Sequence, residues 1–167
     1  MRKLPYFGFY GFIGILVFLE LFFANTYILA NLPAQAQSMG ITSQRLAFRI
    51  ILLSILDFIA LFGAFEACVA IYNNNKEQLM KAGITAFVGF GLYGIYQLLS
   101  AWIYLPESYK LPMAVYGILY FFLGLFSFIL SRKYVKDRLE KDSVMPILSA
   151  KEQKKGQESK KSKPKKK

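Results

Sequence analysis

Four apolar runs, residues 6–30, 46–72, 82–105 and 111–130, dominate this chain of 167 residues. Each is about 20 residues or longer, the helix length that crosses the hydrocarbon core of a bilayer. A helix on the surface of a soluble core carries a charged face recurring at i, i+3 and i+4, and none of the four runs has one. Backbone amides in hydrocarbon must bond within their own segment, so the runs are expected to be helices. The expected fold class is an all-α integral membrane protein, with four transmembrane helices in an up-down bundle over residues 1–131. A short amphipathic juxtamembrane segment is expected at 132–150 and a disordered Lys-rich C-terminal tail at 151–167.

Charge placement sets an expected orientation. Fourteen of the 21 Lys and Arg lie between Arg132 and Lys167. Arg2 and Lys3, then Lys76 and Lys81, then the tail alternate along the chain with Arg45 and Arg49 and with Lys110. Positive residues are retained on the cytoplasmic side, so both the N- and C-termini are expected there. Ala34 to Ala36 read "AQA", a small-residue pattern like a signal-peptide cleavage site. The first run is much longer than a signal h-region and contains Glu20, so it is read as an uncleaved helix.

Composition also narrows the chemistry. The chain has one cysteine, Cys68, and no histidine, so no metal site, no cofactor and no internal disulfide are expected. "GFGLYG", residues 89–94, lies inside an apolar run and opens no helix after a strand. Its glycines are read as points of close helix approach, not as a dinucleotide loop. No nucleophile stands beside a base, and the chain is expected not to be an enzyme.

Acids inside apolar runs need a reason, because a central carboxylate costs about 2.5–3.5 kcal/mol on insertion scales. Counting the 1.5 Å helical rise from the cytoplasmic ends puts Glu20, Asp57 and Gln97 all at a depth of about 21 to 23 Å, with Tyr116 and Tyr120 bracketing that level. Helical phase places Glu20 with Ala24, Tyr27 and Asn31, and Asp57 with Ser54, Ala60, Ala64 and Cys68. It places Gln97 with Ala86, Tyr93 and Ser100 on one inward face, and Tyr116 and Tyr120 with Ser127 on another. No Lys or Arg is expected at this depth. The layer reads either as a proton or cation site or as a set of hydrogen bonds that holds the bundle in register. Glu66, half a turn away from Asp57, is expected to contact Lys76, Lys81 or a neighbouring chain.

The first expectation for function is a non-enzymatic subunit or assembly factor of a larger membrane complex, with protein partners within the membrane. The alternative is a small proton- or cation-coupled transporter or channel using the intramembrane carboxylates. A weaker alternative is a membrane receptor for a polyanion, with Lys154, Lys155, Lys160, Lys161, Lys163, Lys165, Lys166 and Lys167 touching anionic lipids or a ribosome. No aromatics are interleaved among these lysines, so no sequence-specific nucleic-acid partner is expected.

Overall fold

The computed structural model describes residues 3–161, with side chains described for residues 3–137. Among the described residues the chain is helical, without strands. Helix α1 spans Leu4–Ala30, α2 Leu32–Ser38, α3 Ser43–Asn73, α4 Lys76–Tyr104 and α5 Glu107–Lys161. The chain divides into two units, Met1–Arg132 and Lys133–Lys167. Four segments, Leu4–Ala30, Ser43–Asn73, Lys76–Tyr104 and Glu107–Asp137, are long and apolar enough to cross a membrane.

The helices outrun the apolar segments because polar residues cap them. Thr42 accepts the Arg45 amide at 3.4 Å to start α3, and Asn75 accepts the Gln78 amide at 3.0 Å to start α4. Asn74 ends α3 in the left-handed region at φ 54°, a conformation Asn tolerates better than most side chains. Only two residues separate α3 from α4, and two separate α4 from α5, so consecutive helices must run antiparallel.

The segment that joins α1 to α3 contains α2. Pro33 suits a helical first turn, and the alanines and glutamines that follow are tolerant of helix. Ala34 to Ala36 therefore lie within a helix. Ala36 is buried with Met39, Leu46, Ile50, Ala101 and Leu105, an apolar cluster that closes one end of the bundle.

Within the first unit, glycines carry the closest packing. A Cβ on Gly89 would stand 2.5 Å from the Ala60 nitrogen and 2.7 Å from its Cα, so α3 and α4 touch backbone to backbone. A Cβ on Gly94 would meet the Gly117 carbonyl at 2.5 Å, which brings α4 equally close to α5. Small residues let helices approach and gain dispersion contacts where lipid offers no hydrophobic drive between them. Helix α1 completes the bundle through Tyr10, whose hydroxyl donates to the Ser127 carbonyl at 2.6 Å and lies 2.6 Å from Ser131 Oγ.

Apolar side chains cover the outside of the bundle as well as filling it. Asp57, Gln97, Ser100 and Ser127 are buried, whereas Phe12, Phe58, Phe62, Phe65 and Phe122 are each more than half exposed. So large an apolar surface, with a few polar groups buried beneath it, is suited to hydrocarbon.

The expected disorder from residue 151 is not seen over 151–161, where α5 continues as helix to Lys161. Lys, Glu and Gln dominate this stretch and all propagate a helix well, although no apolar periodicity marks it. Residues 162–167, including Lys163, Lys165, Lys166 and Lys167, lie outside the described residues. The amphipathic face proposed for 132–150 and the contacts of Lys154, Lys155, Lys160 and Lys161 fall mostly or wholly where side chains are not described.

Gly89→Ala is expected to cost about 1–3 kcal/mol of stability, the range for overpacking a close contact. Gly11→Ala, whose Cβ would meet nothing within 4 Å, is expected to be neutral. Thermal unfolding in detergent, followed by circular dichroism, compares the two.

Candidate functional site

The path of α1 changes at Glu20. Residues Glu20–Ala24 form a π-helical turn, in which the Asn25 amide donates to the Glu20 carbonyl across five residues. Such turns insert one residue into the α-helical repeat and recur at functional sites. Before the turn the buried stripe runs through Tyr6, Tyr10, Ile13 and Val17. After it the buried position is Asn25. The regular stripe of Glu20 with Ala24, Tyr27 and Asn31 is thereby overturned, since Ala24, Tyr27 and Asn31 are all exposed.

The Glu20 carboxyl is surrounded by phenols from two other helices. Tyr93 of α4 donates to Oε1, while Tyr116 of α5 donates to Oε2 at 2.7 Å and Tyr120 also donates to Oε2. The rings of Tyr93 and Tyr120 stack with centroids 4.2 Å apart, and Tyr116 packs against Tyr120 at 4.9 Å. Three O–H donors on one carboxyl group satisfy it without a cation. Tyr93, which the phase argument had aligned with Gln97, belongs to this cluster.

Asp57 is fully buried on α3 and has different partners. Asn25 Nδ2 donates to its Oδ2 at 3.3 Å and to Ser54 Oγ at 3.1 Å. Asp57 Oδ1 is buried with no hydrogen-bond partner among the described residues. Glu20 and Asp57 are thus held by separate partners, with Asn25 one π-turn along α1 from Glu20.

Gln97 joins neither acid. Its Oε1 accepts from Arg49 Nη2 at 2.6 Å, its Nε2 lies 3.2 Å from Met113 Sδ, and Arg49 Nε donates to Ser100 Oγ at 3.2 Å. The expectation of no Arg near the layer is therefore corrected. Arg49 was placed by the depth of its Cα near the helix end, but a guanidinium on a long stem reaches a turn or more farther, and here it turns into the bundle. The expected single layer resolves into three groups: Glu20 with its tyrosines, Asp57 with Asn25 and Ser54, and Gln97 with Arg49 and Ser100.

A cavity of about 390 Å³ separates these groups, lined by Glu20, Asn25, Arg49, Tyr93, Gln97 and Tyr116 among others. Glu20 and Arg49 therefore line one space while each is hydrogen-bonded to neutral side chains. Among the described residues no three His, Cys, Asp or Glu come together to hold a metal ion.

Glu66 lies half-buried on α3, away from this cavity. Lys81, one of its expected partners, instead pairs with Glu77 at 2.7 Å on the exposed first turns of α4. The i, i+4 spacing of that pair is local and available as soon as the helix forms, which a contact to α3 is not. Asn25 and Arg49 were the residues that sequence reasoning missed. A polar amide five residues after Glu20 in an apolar run was the available signal for the first.

Asn25→Ala is expected to cost about 1–3 kcal/mol, because it leaves a buried Asp57 carboxyl without its remaining donor. Replacing both groups, Asn25→Leu with Asp57→Leu, is expected to recover most of that loss. Denaturation midpoints of the single and double variants measure the coupling.

Comparison of the chain with protein-family models, with curated proteins and with solved structures gives no match.

Proposed function

We propose that the four long helices span a bilayer with both termini on the cytoplasmic side, and that the bundle is a small, non-enzymatic proton- or cation-coupled transporter or channel. The observation that carries this reading is the cavity of about 390 Å³ lined by Glu20 and two of its tyrosines, Tyr93 and Tyr116. Polar groups whose task is only to lock helices together close around their own bonds and leave no space. Here the carboxyl lines a space large enough for water or a small solute.

The local chemistry suits proton exchange. A deprotonated Glu20 accepts from three phenols, whereas a protonated one can donate through its own O–H, so gain of a proton requires a hydroxyl to turn. Each protonation state thus prefers a different arrangement of Tyr93, Tyr116 and Tyr120, which contact α1 from α4 and α5. That is the kind of coupling between a proton and helix packing that a carrier needs. Asp57, with one oxygen unpartnered among the described residues, is a second acid one helix away.

A role as a subunit or assembly factor of a larger membrane complex is compatible with transport and is favoured by Glu66. It is half-buried and forms no ion pair among the described residues, which leaves it for a neighbouring chain. The basic C-terminal segment is proposed to add attraction to anionic lipids or to a ribosome at the cytoplasmic face.

In vesicles reconstituted with the purified chain and loaded with a pH-sensitive dye, an imposed ion gradient is expected to drive proton flux. Glu20→Gln is expected to lower that flux at least about tenfold, as loss of a positioned proton carrier does, while helix content stays unchanged. Asp57→Asn tests the second acid in the same assay. Wild-type flux in both variants would reject the transport reading. Loss of copurifying proteins on Glu66→Gln, in gentle detergent, tests the subunit role.

A further inference from the structure

The geometry points to a binding site for the head group of an anionic phospholipid between the start of α3 and the end of α4. This inference rests on the bilayer placement but not on the transport reading.

A second cavity, of about 450 Å³, lies at this end of the bundle and is lined by Gln44, Arg45, Phe48, Arg49, Tyr96 and Tyr104, with Ile41 at its edge. Two arginines therefore line one space, and among the described residues neither has an acidic partner. Arg49 is 5% exposed, so its charge is withdrawn from water yet not paired. A buried, unpaired cation is costly, and an anion in the cavity offsets that cost. Arg49 has five N–H donors, and its bonds to Gln97 and Ser100 use only two.

The order of side chains with depth selects a lipid as the occupant. Arg45 stands two residues into α3 and is exposed, and Arg49 stands about one turn deeper. Tyr104 is the last residue of α4 and Trp102 precedes it by two, which places both aromatics where interfacial rings sit. Phe48 is 68% exposed and Tyr104 51%, so the cavity wall continues onto the lipid-facing surface. A phosphodiester at Arg45 and Arg49 leaves its acyl chains to run deeper along the exposed face of α3 that carries Phe48, Ile51 and Ile55. Arg suits the phosphate because its fork donates two parallel hydrogen bonds. Gln44, Tyr96 and Tyr104 supply neutral polar groups around the same head group. Arg49 lines both this cavity and the one that contains Glu20, so a lipid bound here touches the residue that holds Gln97.

Trp102 is the chain's single tryptophan, is 68% exposed and reports on this end of α4. The full chain is reconstituted in phosphatidylcholine vesicles that contain brominated phosphatidylglycerol or, at the same fraction, brominated phosphatidylcholine. The anionic lipid is expected to quench Trp102 at a lower mole fraction than the zwitterionic one. Arg45→Gln is expected to raise the required fraction about fivefold, the effect of one basic residue at the surface, and Arg45→Lys to retain most of the preference. The lysines of the C-terminal segment are identical in all three proteins, so their attraction cancels in the comparison. Equal quenching by the two lipids in the wild-type chain, or an unchanged preference in Arg45→Gln, overturns the site. Displacement of the anionic lipid by inorganic phosphate at millimolar concentration overturns the lipid assignment in favour of a free anion.

Discussion

The backbone contact of α3 with α4, where Gly89 leaves no room for a side chain above Ala60, is the constraint on which the bundle depends. Two helices this close can bury only small groups between them, and Ala60, Gly63, Ala86 and Gly89 occupy the seam. The larger residues of both helices are consequently turned outward or toward α1 and α5. Gly94 and Gly117 repeat the arrangement between α4 and α5. The tyrosines of α4 and α5 then stack on one another, with Tyr93 against Tyr120, and present their hydroxyls to α1.

Helix α1 meets that wall of phenols with an interrupted repeat. The π-turn at Glu20 lets the carboxyl reach Tyr93, Tyr116 and Tyr120 while Asn25 turns toward Asp57 and Ser54. In a regular α-helix residues 20 and 25 are 140° apart, and both could not point inward so directly. The irregularity is thus the means by which one helix serves two polar clusters. It also leaves the space between them that Arg49 and Gln97 line from the other side.

Much of this architecture was legible in the linear order of residues. The apolar runs located all four long helices, and Glu20, Asp57, Gln97, Tyr116 and Tyr120 were singled out by depth and phase before any contact was known. Phase failed after Glu20, where one inserted residue rotates everything that follows. Partners were less legible than positions. Gln97 bonds Arg49 rather than an acid, because the two long side chains extend toward each other across a separation that Cα counting leaves open. The tail shows the opposite limit, because its lack of apolar periodicity says nothing against a helix carried by local propensity over residues 151–161.

By itself the sequence determined that four segments are helices suited to hydrocarbon, because length, apolarity and the obligation of backbone amides to bond internally act within a single segment. It also determined that carboxyls would have to be buried among them. Which groups meet those carboxyls was decided only by tertiary structure. Hydrogen bonds between helices depend on the rotation of each helix to within a fraction of a turn, and that rotation is set by glycine contacts and one π-turn, not by the local pattern of residues.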